Sequence, residues 1–390
     1  MTASTVDRDC ELEAALLGRE PGLPGLAAVL GAGGLDQLVA ALPATDAGPT
    51  RVRYLRLKAG TSVMAALEVH GATGPRPWLL TSYAPGDAGK AARDAAYAHR
   101  SGLPAVHDAL RRTTLAPAAA DRALRPHGRR LGSAGDAVRV LGGLPRGRVT
   151  PLRHNPARRL VARLDARGER WVLKAHVSPE HGERARRVAA ALPADAPVGS
   201  LAGVSRDGRL VAHRWVPGAL VDATADGQAV AQAVALLRST PLPPGPAQAS
   251  LVGLPRLDAP ALLAAARRGV AGLAVFDPEV ADCARGLLPA LGRALARADA
   301  LAPGGHRVLL HGDLSPDQVV LGPRGPVLLD LDRACVGPAG WDAATWWAAQ
   351  LAEGSAMPVP LPGHAADPTL LAVAALARVA EPWRRRRAGR

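Results

Sequence analysis

Four oxygen-bearing side chains near the C-terminal end of the sequence could perform chemistry together. Asp313 and Gln318 lie in HGDLSPDQ, five residues apart, and Asp330 and Asp332 lie in LLDLD. A carboxylate can orient and deprotonate a hydroxyl group, and carboxylate and amide oxygens can hold magnesium on the phosphates of a nucleotide. This set of side chains therefore suits the transfer of a phosphoryl group to a hydroxyl.

Two short predicted strands, joined by a hairpin, bring these side chains to one edge of a small sheet. The apolar patterns place the strands at Arg307–Leu310 and Val327–Leu331, and Gly and Pro place the hairpin at Gly322–Pro326. Asp313 follows the first strand almost directly. Asp332 stands where the second strand ends, so strand alternation does not fix the direction of its side chain.

Two neighbouring polar residues receive structural interpretations. We expect His311 to brace the loop and Asp342 to cap the next helix. Single acids in a hairpin are usually ordinary surface residues, since Asp, Gly and Pro are all common in turns. The ordered set, with His-Gly-Asp directly after an apolar strand, is what favours a functional site.

The same motifs resemble the catalytic and metal-binding segments of the aminoglycoside phosphotransferase and choline kinase-like family. That family has a protein-kinase-like fold and the pattern His-Gly-Asp, four residues, Asn, and later Ile/Leu-Asp. The resemblance implies that Asp313 is the catalytic carboxylate and that Asp330 binds magnesium. Gln318 stands where the family usually has Asn; it keeps an amide oxygen for the metal but has a longer reach.

The resemblance extends to the middle of the chain. Lys174 in RWVLKAH occupies the place of the lysine that contacts the ATP phosphates, and lysine is otherwise rare among the 48 basic residues. Glu183 on the following helix is its expected partner, with Glu180 as second choice. Val211–Trp215, ending at the nucleotide-binding Trp215, would form the hinge that pairs with adenine. The implied cofactors are ATP and Mg²⁺.

The implied acceptor is a hydroxyl group of a sugar, an aminoglycoside or an amino alcohol. Acidic residues of the helical part could suit a cationic acceptor, although surface solvation explains them equally well. They are Asp222, Asp226, Asp282 and Asp317. The sequence does not separate these acceptor classes.

Two segments of the sequence look alike, which predicts a structural repeat. Arg51 to about Ala96 and Arg148 to about Ala190 both follow a β-β-β-α order, and Thr81 in the first copy falls where Lys174 falls in the second. The predicted fold is α+β and kinase-like, with a small β-rich N-lobe and a mainly helical C-lobe after an extra N-terminal module that resembles a degenerate second N-lobe. The predicted boundaries are 1–115 for this module, 116–147 for a linker with little structure, 148–216 for the N-lobe and 217–390 for the C-lobe.

Composition narrows the function classes. The 390 residues are 48% hydrophobic and 21% charged, which is a globular balance, and no apolar run reaches the ~20 residues that cross a bilayer. Without a signal-peptide pattern or a cysteine framework, we expect a cytoplasmic location and no membrane partner. The net charge of +14 suggests nucleic-acid binding, but it comes mainly from arginine and aromatic residues are few, so no nucleic acid is expected.

Three other functions stay open at this point. The first is an inactive pseudokinase or regulatory binding module, for which the Gln318 substitution is the only support. The second is nucleic-acid binding, which would depend steeply on salt. A protein kinase is disfavoured, because the chain has neither a Gly-rich loop nor an activation segment of the expected length. The oligomeric state is not indicated.

Overall fold

The structure is a computed structural model and describes residues 5–31, 34–41, 49–71, 74–132, 136–239, 253–301, 307–364 and 367–385. It has a mixed α/β fold in which two antiparallel sheets precede a mainly helical part. None of the helices in these ranges is long and apolar enough to cross a membrane.

The first module is built on a five-stranded antiparallel sheet. Its helices are α1 (Thr5–Arg19), α2 (Pro24–Leu30), α3 (Gly34–Ala40) and α4 (Gly89–Arg100). Its strands are β1 (Thr50–Lys58), β2 (Ser62–Gly71), β3 (Gly74–Tyr83), β4 (Val106–Asp108) and β5 (Thr113–Pro117), in the order β1-β2-β3-β5-β4. Helix α4 lies between β3 and β4 in the chain.

The segment that follows the first sheet is ordered and packed. After two 3₁₀ turns it contains α5 (His127–Gly132) and α6 (Asp136–Leu141). Leu124, Leu131 and Leu141 are buried against the second sheet. The expectation that residues 116–147 have little structure was wrong. The segment has few leucines among many Ala, Gly, Pro and Arg residues, and their apolar contacts depend on the tertiary fold. The predicted boundary at residue 115 also falls inside β5.

The second sheet repeats the topology of the first. Its elements are β6 (Arg148–Asn155), β7 (Arg159–Ala166), β8 (Glu169–His176), α7 (Glu180–Ala191), β9 (Leu201–Val204) and β10 (Leu210–Arg214). The strand order is β6-β7-β8-β10-β9, and α7 stands where α4 stands in the first copy. Strand β7 alternates buried and half-buried residues, as expected for a strand with one face on the core.

The rest of the chain is mainly helical, as the sequence predicts. Its helices are α8 (Gly227–Arg238), α9 (Ala259–Leu273), α10 (Pro278–Leu301), α11 (Trp341–Ala352), α12 (Pro368–Arg378) and α13 (Glu381–Arg384). Its strands are β11 (Ala219–Leu220), β12 (Arg307–Leu310), β13 (Val319–Gly322), β14 (Gly325–Leu328) and β15 (Cys335–Pro338). Strands β13 and β14 form a hairpin at the predicted Gly322–Pro326 turn, whereas β12, the other predicted strand, pairs with β15 and not with β14.

Two of these helices approach each other closely at a glycine. A Cβ atom on Gly269 of α9 would lie 1.9 Å from the carbonyl oxygen of Leu376 on α12. Any side chain at this position would therefore push the two helices apart. Their packing helps to place Arg378, the last residue of α12, at the cleft described below.

The first module contacts both of the other parts. The rings of Phe276 and Trp383 stack at 6.0 Å and pack against the first module's core, and Arg19 donates a hydrogen bond of 2.8 Å to the Phe276 carbonyl. On the other side, Arg56 of β1 donates a hydrogen bond of 3.2 Å to the Pro156 carbonyl in the β6–β7 hairpin. The module therefore bridges the second sheet and the helical part.

Candidate active site

The backbone after β14 turns sharply at Asp330. The strand ends at Leu328, three residues before the predicted end at Leu331, and Asp330 adopts a left-handed conformation with φ of 62°. This conformation is uncommon for residues other than glycine and is concentrated at functional sites. A 3₁₀ turn over Leu331–Arg333 follows. The turn brings Asp332 to the same side as Asp330, a direction that strand alternation could not give.

Two cations meet the two acids at the end of β14. Lys174 Nζ lies 2.8 Å from Asp330 and 3.2 Å from Asp332, and Arg159 Nη1 lies 2.8 Å and 2.7 Å from the same carboxylates. Burial and repulsion by Asp332 raise the pKa of Asp330, but Lys174 and Arg159 outweigh them and hold it below its usual value. Asp330 is therefore ionised at neutral pH.

Asp313 lies beside two arginines in the loop after β12. Its Oδ1 accepts a hydrogen bond from Arg378, and Arg333 Nε lies 3.4 Å from its Oδ2. Arg378 is 5% exposed and also pairs with Glu381 at 3.2 Å. Arg378 does not stand out in the sequence, where its only signal is an arginine ending an otherwise apolar helix.

The glycine of His-Gly-Asp is required by its conformation and its surroundings. Gly312 has a φ of +84°, which strains any residue with a side chain. A Cβ atom at this position would lie 2.1 Å from the carbonyl oxygen of Arg333. The glycine thus lets the loop that carries Asp313 pack directly against the turn that carries Asp332.

The loop that carries Asp313 is fixed by buried hydrogen bonds. Asp342 accepts bonds of 2.9 Å from the N–H groups of both His311 and Gly312, and burial raises its pKa. It does not cap α11, which begins at Trp341, so that prediction was wrong: the carboxylate turns back to the loop instead. His311 is confirmed as a bracing residue, since its Nε2 contacts the Leu329 carbonyl at 2.7 Å.

Gln318 offers an oxygen atom suited to a metal. Its backbone carbonyl accepts a bond of 2.8 Å from Leu329, next to Asp330, while its side-chain Oε1 is buried and has no hydrogen-bond partner among the described residues. A buried, unsatisfied amide oxygen is costly unless something binds it. Magnesium prefers oxygen ligands, so Gln318 and Asp330 fit this cation.

Glu183 does not meet Lys174 in the structure. Its exposed side chain pairs with Arg187 at 2.9 Å and with Arg186 at 3.5 Å, and Glu180 is exposed as well. This arrangement corrects the expected contact. Lys174 has its acidic partners on the turn after β14, so it needs none from α7.

Helix α7 and the end of β8 place other residues near Asp332. Arg184 donates a hydrogen bond to the carbonyl oxygen of Asp332. His181 stacks on His176 with ring centroids 4.3 Å apart, and His176 Nε2 lies 3.7 Å from Asp332. Burial lowers the pKa of His176 to about 3, so the ring is neutral at physiological pH.

The predicted hinge is displaced along the chain. Val211–Trp215 was expected to offer free backbone groups, but residues up to Arg214 belong to β10 and pair with β8. The N–H of Trp215 also donates a bond of 3.0 Å to the Arg170 carbonyl. Trp215, Val216 and Gly218 nevertheless line the cleft. Only backbone after the end of β10 can form a hinge here.

Several of these side chains border one large cleft. Its volume is about 1610 Å³, and its walls include Asp313, Lys174 and Asp330. Arg76 and Glu68 of the first module line it as well. Single ligand pockets usually measure about 300–1,000 Å³. The cleft therefore has room for two ligands side by side.

Residues 150–380, more than half of the chain, match the model of the phosphotransferase enzyme family. The chain belongs to this family. It is a small-molecule phosphotransferase that acts on a hydroxyl group, and the resemblance noted in the sequence is confirmed. No curated protein is similar to the chain at a significant level.

Several solved structures resemble this phosphotransferase. An aminoglycoside phosphotransferase, APH(3'')-Id of Streptomyces rimosus, is 19% identical, covers 60% of this chain and 92% of its own, and has a TM-score of 0.43. A type I macrolide 2'-phosphotransferase is 19% identical over 61% and 83%, with a TM-score of 0.39. Choline kinase of Cryptosporidium parvum is 12% identical over 52% and 62%, with a TM-score of 0.39.

The first module of this phosphotransferase has a filled site at the equivalent position. Thr81, at the place of Lys174, donates a bond of 3.1 Å to Asp94 on α4, and Asp94 also accepts from Tyr83 at 2.7 Å and Arg122 at 2.9 Å. The cavity beside them measures about 50 Å³. It has no room for a nucleotide.

Proposed function

We propose that this phosphotransferase moves the γ-phosphate of ATP, with Mg²⁺ bound, to a hydroxyl of a sugar, an aminoglycoside or an amino alcohol. In this proposal residues 148–216 form the N-lobe and residues 217–390 the C-lobe. One observation carries it: Lys174, Asp330 and Asp313 come from distant parts of the chain and line one cleft. Phosphoryl transfer depends mainly on such positioning and on charge stabilisation.

Asp313 is proposed as the residue that orients the acceptor hydroxyl and receives its proton. It lies at the cleft, in a loop whose backbone N–H groups donate hydrogen bonds to Asp342. Arg378 and Arg333 beside it hold the carboxylate in place. An immobilised carboxylate can accept the proton of a hydroxyl that is bound within hydrogen-bond reach.

Lys174 and Arg159 are proposed to bind the phosphates. Each is buried or half-buried and reaches Asp330 and Asp332, so both cationic groups lie at the centre of the acidic site. Phosphate oxygens can replace carboxylate oxygens as partners of both groups, because both are charge-assisted acceptors. Trp215 and the residues after it are proposed to border the adenine.

Asp330 and Gln318 are proposed to hold the magnesium. The unsatisfied Oε1 of Gln318 and the ionised carboxylate of Asp330 supply oxygen ligands of the kind that this cation requires. When bound, magnesium neutralises the negative charge that develops on the phosphates. Asp332, which binds Lys174 and Arg159, fixes these two cations beside the metal site.

The first module is proposed to be a degenerate copy of the N-lobe. Its sheet has the same strand order as the second sheet, and its helix α4 has the same place as α7. The filled cavity around Thr81 and Asp94 excludes ATP from it. The inactive binding-module alternative has no support, because Lys174 of the second copy and Asp313 and Asp330 of the C-lobe are all present.

The direct test is ADP formation from ATP with a panel of sugars, aminoglycosides and amino alcohols. We expect at least one acceptor to raise ADP formation, with the increase lost in EDTA and in Asp313→Asn. Glu279→Gln is the control, because Glu279 is an exposed acid of α10 outside the cleft lining. ADP formation that is unchanged in Asp313→Asn would overturn the assignment of this residue.

A further inference from the structure

Three arginines converge where the three parts of the chain meet. Arg56 comes from β1 of the first module, Arg158 from the β6–β7 hairpin and Arg384 from α13. Arg158 and Arg384 line the cleft, and Arg56 is bonded to the Pro156 carbonyl two residues before Arg158. Arg384 lies over α9, where a Cβ on Gly272 would be 2.2 Å from its Nη2. Arg158 and Arg384 thus form part of the cleft wall, and Arg56 lies beside the hairpin that carries Arg158.

The positively charged side chains of Arg56, Arg158 and Arg384 repel one another. The pKa of half-buried Arg56 is lowered first by burial, then by Arg158 and, more weakly, by Arg384. Asp121 attracts Arg56, but its carboxylate is already held by His154 at 2.9 Å. Among the described residues, no carboxylate forms an ion pair with Arg56, Arg158 or Arg384. In the described part of the chain, therefore, no paired carboxylate offsets their mutual repulsion, which a bound anion would relieve.

The cluster differs from the cations that lie beside Asp330 and Asp313. Arg159 and Arg378 form ion pairs with Asp330 and Asp313, and Lys174 does so too. These groups have partners and are explained by the nucleotide and the reacting hydroxyl. The three clustered arginines belong to neither group, so their chemistry points to a separate anion.

The acidic residues that could receive a cationic acceptor are already engaged. Asp317 bonds to Ser315 and lies 3.6 Å from Arg153, and Asp282 pairs with Arg285. The carboxylates of Asp222 and Asp226 are bonded to backbone N–H groups of their own exposed turn. Of these four acids Asp317 alone lines the cleft, and Arg153 lies beside it.

We propose that the acceptor of this phosphotransferase carries a phosphate or carboxylate group, which binds to Arg56, Arg158 and Arg384 while its hydroxyl meets Asp313. This inference rests on the proposed function. Arg378, at the end of α12, contacts Asp313 and lines the cleft together with Arg384 of α13. A small hydroxylated acid or phosphorylated polyol carries both the hydroxyl and the anionic group that these two places would bind.

The proposal also gives the first module a role. Arg56 is its contribution to the anion site, and the module bridges both lobes around the cleft. The site exists only when β1, the β6–β7 hairpin and α13 are assembled. An anionic acceptor would therefore bind at the junction of all three parts.

The test is titration calorimetry with inorganic phosphate on the full chain saturated with Mg²⁺ and a non-hydrolysable ATP analogue, which occupies the nucleotide phosphate site. We expect phosphate to bind and its Kd to rise about tenfold or more in both Arg158→Gln and Arg384→Gln, because each variant loses a charge-assisted hydrogen bond. Arg158 is exposed, so its substitution leaves the fold intact. Arg267→Gln is the matched control, an exposed arginine of α9 outside the cleft lining.

Absence of phosphate binding in the wild type, or equal binding in the wild type and both variants, would overturn the anion site. The analogue is titrated separately into the same proteins. A failure of the analogue to bind counts against the proposed nucleotide site and leaves the phosphate result to decide the anion site. The two claims are thereby tested apart.

Discussion

Lys174 Nζ lies 2.8 Å from Asp330 Oδ1, which joins two residues 156 positions apart in the chain. The lysine belongs to the second sheet and is 6% exposed, and the aspartate follows a strand of the helical part. The contact places a cationic strand residue at the acid that is proposed to bind the metal. Nucleotide phosphates bound here would lie between the two.

Replacing Lys174 with Met tests the phosphate-binding role. Met keeps the apolar stem but removes the ammonium group, so we expect the Kd for Mg-ATP to rise about 10- to 100-fold, the loss of one charge-assisted hydrogen bond. Titration calorimetry measures this change. Lys90→Met is the control, because Lys90 pairs with Asp87 on the first module. A Kd within about twofold of the wild type would contradict the role.

Asp313→Asn separates chemistry from binding. The amide cannot accept the hydroxyl proton as a carboxylate does, so we expect kcat to fall about 10²- to 10⁴-fold. The Kd for Mg-ATP should change little, since Asp313 contacts Arg378 and Arg333 on the acceptor side. Steady-state kinetics with an active acceptor, together with calorimetry, measure both effects. Equal losses in kcat and ATP affinity would speak for a structural role instead.

Asp342 is expected to stabilise the catalytic loop rather than take part in the reaction. Asp342→Ala leaves the N–H groups of His311 and Gly312 buried without partners, each at a cost of about 1–3 kcal/mol. We therefore expect denaturant unfolding to show a loss of about 3 kcal/mol. Asp282→Ala should lose less than about 0.5 kcal/mol, because it changes only the surface. Equal stabilities of the two variants would refute this role.

His213 should make stability depend on pH. Burial, followed by repulsion from Lys174, lowers its pKa from 6.5 to about 4, so the folded protein keeps the ring neutral while the unfolded chain takes up a proton. Its contribution is fully present above pH 6.5 and is lost as pH falls toward 4; between pH 7 and 5.5 the loss is about 1 kcal/mol. His213→Gln should remove this part of the decline in unfolding free energy.

The control for His213 is His99→Gln, since His99 is exposed at the end of α4. Burial lowers the pKa of His176 to about 3, so this ring also lowers the unfolding free energy at acid pH, and it does so equally in every variant. The difference between wild type and His213→Gln isolates one ring. A pH dependence identical in both would show that His213 is not held neutral.

Substitution by alanine should destabilise the protein at one helical glycine and stabilise it at another. Gly269→Ala places a methyl group against Leu376 of α12, and such overpacking costs about 1–3 kcal/mol or more. Gly286 on α10 has nothing within 4 Å of the added Cβ, so Gly286→Ala should stabilise by about 0.5–1 kcal/mol. Urea unfolding measures both. Similar effects at the two sites would show that α9 and α12 do not pack this closely.

The sequence predicts what depends on local pattern. Helical periodicity placed the C-terminal helices, and the order of His311, Asp313 and Asp330 indicated the site. Lys174 was noticed because lysine is rare in this chain. These signals are visible because each depends on neighbours in sequence.

The remaining features depend on contacts between distant segments. Arg159 and Arg378 are two arginines among many, and only the fold shows that they meet Asp330 and Asp313. The left-handed backbone conformation of Asp330 turns the chain and so changes the direction of the Asp332 side chain, which strand alternation does not predict. Glu183 was expected at Lys174 by analogy with kinases, whereas the turn after β14 already supplies the lysine with acids.

Thermal unfolding of the wild type and Asp330→Ala, each with and without Mg-ATP, tests the central claim most directly. A ligand that binds only the folded state raises the apparent stability by RT ln(1 + [L]/Kd). We expect Mg-ATP to raise the Tm of the wild type and to leave that of Asp330→Ala unchanged, with EDTA reducing the rise. No rise in the wild type, or the same rise in both proteins, would contradict a metal-nucleotide site at Asp330.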